Sequence, residues 1–127
     1  MKTTNNIEPT KSELEILQIL WEHGPCTVRF VNEQMNELQR PLKYTATLKL
    51  MQIMFEKGLV KRDESQMKHL YSAAHEEKKT KGMLLDRFID TIYNGSASNL
   101  MMQLLGNKKT SKDDIDQIRL MLKNMDK

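Results

Sequence analysis

The chain has 127 residues, of which 39% are hydrophobic and 29% are charged, with a net charge of +3, and this composition indicates a folded domain and excludes a disordered chain. No apolar run approaches the roughly 20 residues that cross a bilayer, and the start, MKTTNNIEPTKSE, lacks the apolar stretch of a secretory signal. The single cysteine, Cys26, excludes an internal disulfide framework, so we expect a cytoplasmic protein with no membrane insertion.

The first predicted helix begins at Thr10 or Ser12, with Glu13 or Glu15 as its capping-box partner, and ends at Gly24-Pro25. Its apolar residues recur at helical spacing: Leu14, Ile16, Leu17, Leu20 and Trp21. This helix is therefore amphipathic, and one of its faces is predicted to enter a hydrophobic core.

A short extended piece from Cys26 to Val28 precedes the second predicted helix, for which Thr27 is a good N-cap. The helix runs from Val28 to about Leu38. The residues that we expect it to bury are Val28, Val31, Met35 and Leu38.

The third helix begins after Pro41 and is closed by Gly58, because glycine adopts the left-handed conformation that ends many helices. Its predicted inward face holds Thr47 or Leu48, Met51, Met54 and Phe55. The segments LVKRDE and MKHLYSA are then predicted to be two strands joined by a turn at Ser65-Gln66. Helix, short strand, helix, helix and hairpin is the order of a winged helix-turn-helix domain, which we place at residues 1–73.

Residues 74–127 are predicted to form further helices, separated by Gly95 and Gly106, with Ser111 capping the last one. The fold class is therefore mainly α, with a C-terminal helical arm after the winged helix. The apolar stripes of this arm either pack back on the first domain or pair with a second copy of the chain, and we favour a C2 homodimer. The residues expected at the dimer interface are Leu85, Phe88, Ile92, Leu100, Met101, Leu104, Ile118 and Leu122.

The basic excess of the chain lies at the third helix and the hairpin. Residues 39–72 hold seven Lys or Arg against three Asp or Glu, whereas residues 1–38 hold three against six. Such clustering indicates an anionic partner. In a helix-turn-helix, the second helix of the motif enters the major groove with its N-terminal residues against base edges. The DNA-binding residues predicted there are Lys43, Tyr44, Thr45, Ala46 and Lys49.

These residue types suit both base and backbone contacts. Thr45 can hydrogen-bond a base edge or a phosphate, and the methyl groups of Thr45 and Ala46 suit a thymine methyl. Lys43 and Lys49 supply positive charge for the phosphate backbone. The alternative is an ordinary solvated outer face of a helix.

Four more residues are candidates for phosphate contacts outside this helix. Thr27 and Arg29 lie at the N-terminus of the second helix, where free N–H groups and the helix dipole favour a phosphate, although Thr27 can equally be a plain N-cap. Arg62 and Lys68 flank the hairpin turn. They either straddle a phosphate or serve as edge-strand charges that discourage aggregation.

Metal and catalytic signatures are missing from the sequence. The soft metal ligands besides methionine are His23, Cys26, His69 and His75, and their spacing matches no zinc pattern. There is no Gly-rich phosphate loop, no GxSxG and no HExxH. We therefore predict no metal site, no cofactor and no enzymatic activity.

Two long segments, PTKSELEILQILWEHGPCTVRFVNEQMNE and YTATLKLMQIMFEKGLVKRDESQMKHLYSA, resemble the penicillinase repressor family, known as BlaI/MecI. FIDTIYNGSASNLMMQLL and SKDDIDQIRLML extend the resemblance over nearly all the chain. The most specific elements are Leu-Glu-Ile-Leu-x-x-Leu-Trp, Pro-x-Thr-Val-Arg at 25–29 and Glu-Lys-Gly-Leu-Val, in that order.

This resemblance implies a repressor that dimerises through its C-terminal helices and binds a palindromic operator, as regulators of β-lactam resistance genes do. In the best-known members a membrane sensor protease is the partner, and the repressor is cut between Asn and Phe in its C-terminal helices. The corresponding pair here is Gln103-Leu104. Since Lys43, Lys49, Leu50 and Ile53 are not the family's usual set, the operator sequence is not carried over.

The sequence as a whole predicts a homodimeric transcriptional repressor that binds double-stranded DNA. The alternative is a winged-helix protein–protein interaction module without sequence-specific DNA binding. Binding through phosphates weakens steeply with salt, whereas apolar docking does not, so salt dependence separates the two hypotheses.

Overall fold

The computed structural model describes residues 8–38 and 41–125. The expectation about the start of the chain falls partly on residues 1–7, which lie outside this range, as do Gln39 and Arg40 of the basic segment. The helices and strands of the described residues are, in chain order, α1 (Lys11–His23), α2 (Val28–Leu38), α3 (Tyr44–Lys57), β1 (Val60–Asp63), β2 (Leu70–Ala73), α4 (Glu77–Ile92), α5 (Ala97–Leu105) and α6 (Lys112–Met125). This mainly helical order with one small hairpin confirms the predicted fold class. In the same residues no helix is long and apolar enough to span a membrane.

The start of α1 is fixed by a capping box, and of the two predicted caps the chain uses Thr10. The Glu13 N–H donates to Thr10 Oγ1 at 3.3 Å, and the Thr10 N–H donates to Glu13 Oε1 at 2.9 Å. The carboxylate of Glu13 has a second role that was not predicted. It is buried, and both of its oxygens accept hydrogen bonds from Lys57 Nζ, at 3.1 and 2.9 Å. The start of α1 is thus joined to the end of α3.

The core of the first three helices largely follows the predicted spacing. Its fully buried side chains include Ile16, Leu20, Val31, Met35, Met51 and Met54. Two predictions are wrong. Leu38 is 60% exposed because α2 ends there, and Phe55 is 37% exposed, with the guanidinium of Arg62 lying over its ring. Leu50, one of the residues outside the family's usual set, packs against the core.

The two strands form an antiparallel hairpin in which Val60 pairs with Ala73 and Asp63 pairs with Leu70. Gly58 closes α3 in the left-handed conformation, at φ 82° and ψ 14°, as predicted. The extended piece after α1 joins the hairpin, because Cys26 exchanges two backbone hydrogen bonds of 2.8 Å with Tyr71. Burial raises the pKa of the Cys26 thiol, which donates to the Gly24 carbonyl at 3.0 Å. Cys26 is therefore a packing residue.

The chain divides into two compact units, residues 1–81 and 82–127, so the boundary falls inside α4. The second unit contains the end of α4 with α5 and α6. Gly95, Gly106 and the cap Ser111 lie between its helices as predicted, and Ser96, which was not predicted as a cap, is the N-cap of α5. Within the described part of this unit, residues 82–125, no side chain is buried. The apolar stripes of these helices are therefore largely exposed in a single chain.

Candidate nucleic-acid interface

The first turns of α3 present their polar residues to solvent. Lys43 is the N-cap, and its side chain makes no capping hydrogen bond. Tyr44, Thr45 and Lys49 are exposed and Ala46 is half-buried, whereas Thr47 on the opposite side has no exposed surface. The N–H groups at the start of a helix have no intrahelical partner, and the dipole there is positive. This end of α3 can therefore receive an anion through its backbone as well as through its lysines.

A concave surface of about 260 Å³, here called the wing groove, lies between the start of α2, the start of α3 and the hairpin loop. Its lining residues are Thr27, Val28, Arg29, Tyr44, Leu48, Met67, Lys68, His69 and Tyr71. Four of the predicted DNA-binding residues are thus brought together in one groove. Thr27 is also the N-cap of α2, since the Phe30 N–H donates to its Oγ1 at 3.1 Å. The Arg29 guanidinium lies 5.7 Å from the centroid of the Tyr44 ring, a cation–π distance.

Two residues of the wing groove were missed by the sequence analysis. Met67 is fully exposed in the hairpin loop, and His69 follows Lys68 on the way into β2. The available signal was an apolar residue inside a short polar turn. An exposed methionine does not improve solubility, so its position in the turn indicates a contact surface.

Arg62 is not brought into the wing groove. Its guanidinium lies 4.1 Å from the centroid of the Phe55 ring and forms an ion pair with Glu64. A hydrogen bond with the Tyr71 side chain and, to a smaller extent, one with Glu64 raise the pKa of Arg62 above its ordinary value. Arg62 therefore ties α3 to the hairpin, and its charge is shared with neighbours of its own chain.

The connection from α2 to α3 is held by four residues, here called the asparagine clamp: Asn32, Asn36, Leu42 and Thr47. Asn32 Nδ2 donates to the Leu42 carbonyl at 2.7 Å and to Thr47 Oγ1 at 2.9 Å. Asn36 Oδ1 accepts from the Leu42 N–H at 2.7 Å, and Asn36 Nδ2 donates to the Asn32 carbonyl at 3.0 Å. This clamp was not predicted from the sequence, because Asn32 meets Leu42 and Thr47, which lie 10 and 15 positions further along the chain.

The candidate dimerisation residues lie on the second unit. Six of the eight are exposed large hydrophobic residues: Leu85, Phe88, Ile92, Met101, Leu104 and Leu122. Leu100 and Ile118 are half-buried. The candidate cleavage pair, Gln103 and Leu104, is exposed near the end of α5. In the part of the chain that the structure describes, no three His, Cys, Asp or Glu side chains converge into a metal site.

Three helices with an α2–turn–α3 motif and a two-stranded wing define a winged helix-turn-helix protein. The family model described as penicillinase repressor matches residues 9–124. The chain therefore belongs to the penicillinase repressor family, a family of transcriptional repressors and not of enzymes.

Curated relatives match over nearly their whole length. The methicillin resistance regulatory protein MecI of Mammaliicoccus sciuri is 23% identical over 115 residues, which cover 91% of this chain and 93% of the relative. MecI of Staphylococcus aureus strain N315 is 22% identical over the same length and coverage. The penicillinase repressor of Staphylococcus aureus is 24% identical over 123 residues, with 95% of each chain covered.

Proposed function

We propose that the chain is a homodimeric repressor that binds a palindromic operator, with α3 of each subunit in a major groove. The observation that carries this proposal is the common location of the candidate residues. Thr45 and Lys49 are exposed at the start of α3, and Arg29, Tyr44 and Lys68 line the adjoining wing groove. A recognition helix beside a basic groove can contact base edges and backbone phosphates at the same time.

The roles of the side chains follow from their chemistry. Thr45 and Ala46 face base edges, and Lys43 and Lys49 contact phosphates on either side of the groove. The wing groove holds a backbone phosphate, with Arg29 and Lys68 as its charges and the start of α2 as its dipole. Arg62 acts by holding the wing against α3.

The dimer is supported by the exposure of the second unit. A segment of fewer than 50 residues with no buried side chain among residues 82–125 has no core of its own, and such small units need a further partner for stability. A C2 partner that covers Phe88, Met101 and Leu122 supplies that core with the same surface on both copies.

The regulated trait that we propose is β-lactam resistance. The relatives are named as a methicillin resistance regulator and a penicillinase repressor, and a repressor of such genes needs a release signal. Cleavage at Gln103-Leu104 by a membrane sensor protease would supply it, because both residues are exposed. Loss of α6 from the arm would then separate the two DNA-binding domains of the dimer.

The first experiment is binding to a labelled duplex from the upstream region of its own gene, beside a scrambled duplex, at two salt concentrations. We expect a preference of about a thousandfold or more for the specific site and two subunits per duplex. Weak and equal binding to both duplexes would call for a genome-wide operator selection. No binding even at low salt would contradict the proposed function and favour a protein-docking module.

Replacing Lys49 with alanine is expected to lower the affinity for the specific duplex about tenfold at low salt, because one phosphate contact is lost at the recognition helix α3. The matched control is Lys11→Ala, since Lys11 is also an exposed lysine, on α1. Titration by fluorescence anisotropy measures both. Equal affinity of Lys49→Ala and wild type would rule out this docking of α3.

Arg62 and Lys68 flank the same loop but are expected to respond differently. Lys68→Ala should weaken binding to specific and scrambled duplexes alike and reduce the slope of log K against log salt by about 0.9. Arg62→Ala should leave that slope unchanged and lower the thermal midpoint by a few degrees, because the contacts with Phe55 and Glu64 are lost. A reduced slope for Arg62→Ala would instead assign Arg62 a phosphate.

A further inference from the structure

The asparagine clamp fixes the point at which the chain enters α3. Both backbone groups of Leu42 are engaged by α2, the carbonyl by Asn32 and the N–H by Asn36, each at 2.7 Å. The same Asn32 amide reaches one turn into α3 and donates to Thr47 Oγ1 at 2.9 Å. One side chain therefore spans the turn and sets the start of the helix relative to α2.

The chemistry of Thr47 is unusual for its place. Its exposed fraction is 0%, and it shares the inner face of α3 with Met51 and Met54, where a valine of the same shape would fill the space. Apolar packing is non-directional, so it tolerates small slides and rotations of a helix. A hydrogen bond from Asn32 is directional and weakens steeply with distance and angle, so it admits one setting of α3.

We infer that the Asn32–Thr47 hydrogen bond is a positioning device that gives α3 its DNA sequence discrimination. Neither residue contacts DNA. They act through Thr45, Ala46 and Lys49, which lie one or two positions from Thr47 on the other side of the same helix. This inference rests on the proposed function, since it assigns the cause of operator preference and not the preference itself.

The expected consequence is a selective loss. A contact with a base edge depends on placement within a few tenths of an ångström, whereas phosphate attraction changes little over such a shift. Freeing α3 should therefore reduce the affinity for the specific duplex and spare the affinity for scrambled DNA. A purely structural role would lower both affinities together, through the fraction of folded protein.

The test compares Thr47→Val with Thr47→Ser in the full chain, on specific and scrambled duplexes well below the thermal midpoint. We expect Thr47→Val to bind the specific duplex about tenfold or more weakly and the scrambled duplex within about twofold of wild type. Thr47→Ser should keep the preference for the specific duplex, because serine keeps the hydroxyl that accepts the hydrogen bond from Asn32. Thr80→Val is the matched control, since Thr80 is a buried threonine in the first unit, outside the clamp.

A second variant covers the case in which Thr47→Val does not fold. Asn32→Leu keeps nearly the same side-chain size but can neither donate nor accept a hydrogen bond, so it removes the bonds to the Leu42 carbonyl and to Thr47 Oγ1, and we expect the same selective loss. The inference would be overturned if both variants kept the wild-type discrimination or lost affinity equally on both duplexes. It would also be overturned if Thr47→Ser lost the preference for the specific duplex. If wild type itself does not distinguish the duplexes, the proposed function fails first, and this inference fails with it.

Discussion

Met101→Asp is expected to yield a monomer whose affinity for a duplex with two half-sites falls about a hundredfold or more. The side chain of Met101 is 37% exposed in one chain, so a charge there can stay hydrated in the monomer but would be buried without a partner in the dimer. In the dimer, once one recognition helix has bound its half-site, the second helix binds the other half-site in an intramolecular step. The monomer loses this gain in affinity. Sedimentation velocity measures the association, and anisotropy measures the DNA binding.

Asn99→Asp is the control for this substitution. It adds the same charge to α5, at an exposed position in the first turn where a negative charge suits the helix dipole. We expect it to remain dimeric and to bind as wild type does. A dimeric Met101→Asp, or a wild-type chain that is monomeric at micromolar concentration, would contradict an interface at α5. Met101 is preferred to Leu100, because Leu100 is half-buried within its own chain.

Glu13→Ala is expected to lower the free energy of unfolding by about 3 kcal/mol. The substitution removes the capping-box acceptor of α1 and the partner of Lys57, and breaking a buried pair costs about 3–5 kcal/mol. The estimate lies at the low end because the Lys57 side chain is 26% exposed and can reach water, whereas that of Glu13 is 2% exposed. Urea denaturation at fixed protein concentration measures the change.

Glu22→Ala serves as the comparison for Glu13, because Glu22 is an exposed glutamate on the same helix. Surface substitutions usually change stability by less than about 0.5 kcal/mol. A midpoint for Glu13→Ala equal to that of Glu22→Ala would mean that the ion pair contributes nothing net.

Local signals in the sequence predicted much of the fold. The capping box at Thr10, the glycine that ends α3 and the cap Ser111 depend only on neighbouring residues, and the structure confirms the ends that they mark. Errors arose where the partner is distant in sequence. Phe55 has the spacing of a core residue, but its ring lies partly exposed against the guanidinium of Arg62 in β1.

The location of the candidate site could be predicted from the sequence, whereas the hydrogen bonds that hold it in place could not. The order of helices pointed to the start of α3, and the structure brings Thr27, Arg29, Tyr44 and Lys68 around one groove beside it. Their contacts with DNA stay predictions. The asparagine clamp was not predicted, because periodicity describes apolar faces and does not say which polar groups meet. The Asn32–Thr47 bond joins positions 15 residues apart, a pairing that local patterns do not encode.

No side chain is buried in the described residues 82–125, whereas the first unit has a core of its own. If a second copy supplies the missing core, the order of the C-terminal arm depends on the protein concentration. Cell growth that dilutes the chain below its dimer dissociation constant would then release the operator without any cut in the chain. Gene copy number and growth rate would set the threshold of derepression, and newly made subunits would raise occupancy steeply because they must meet in pairs.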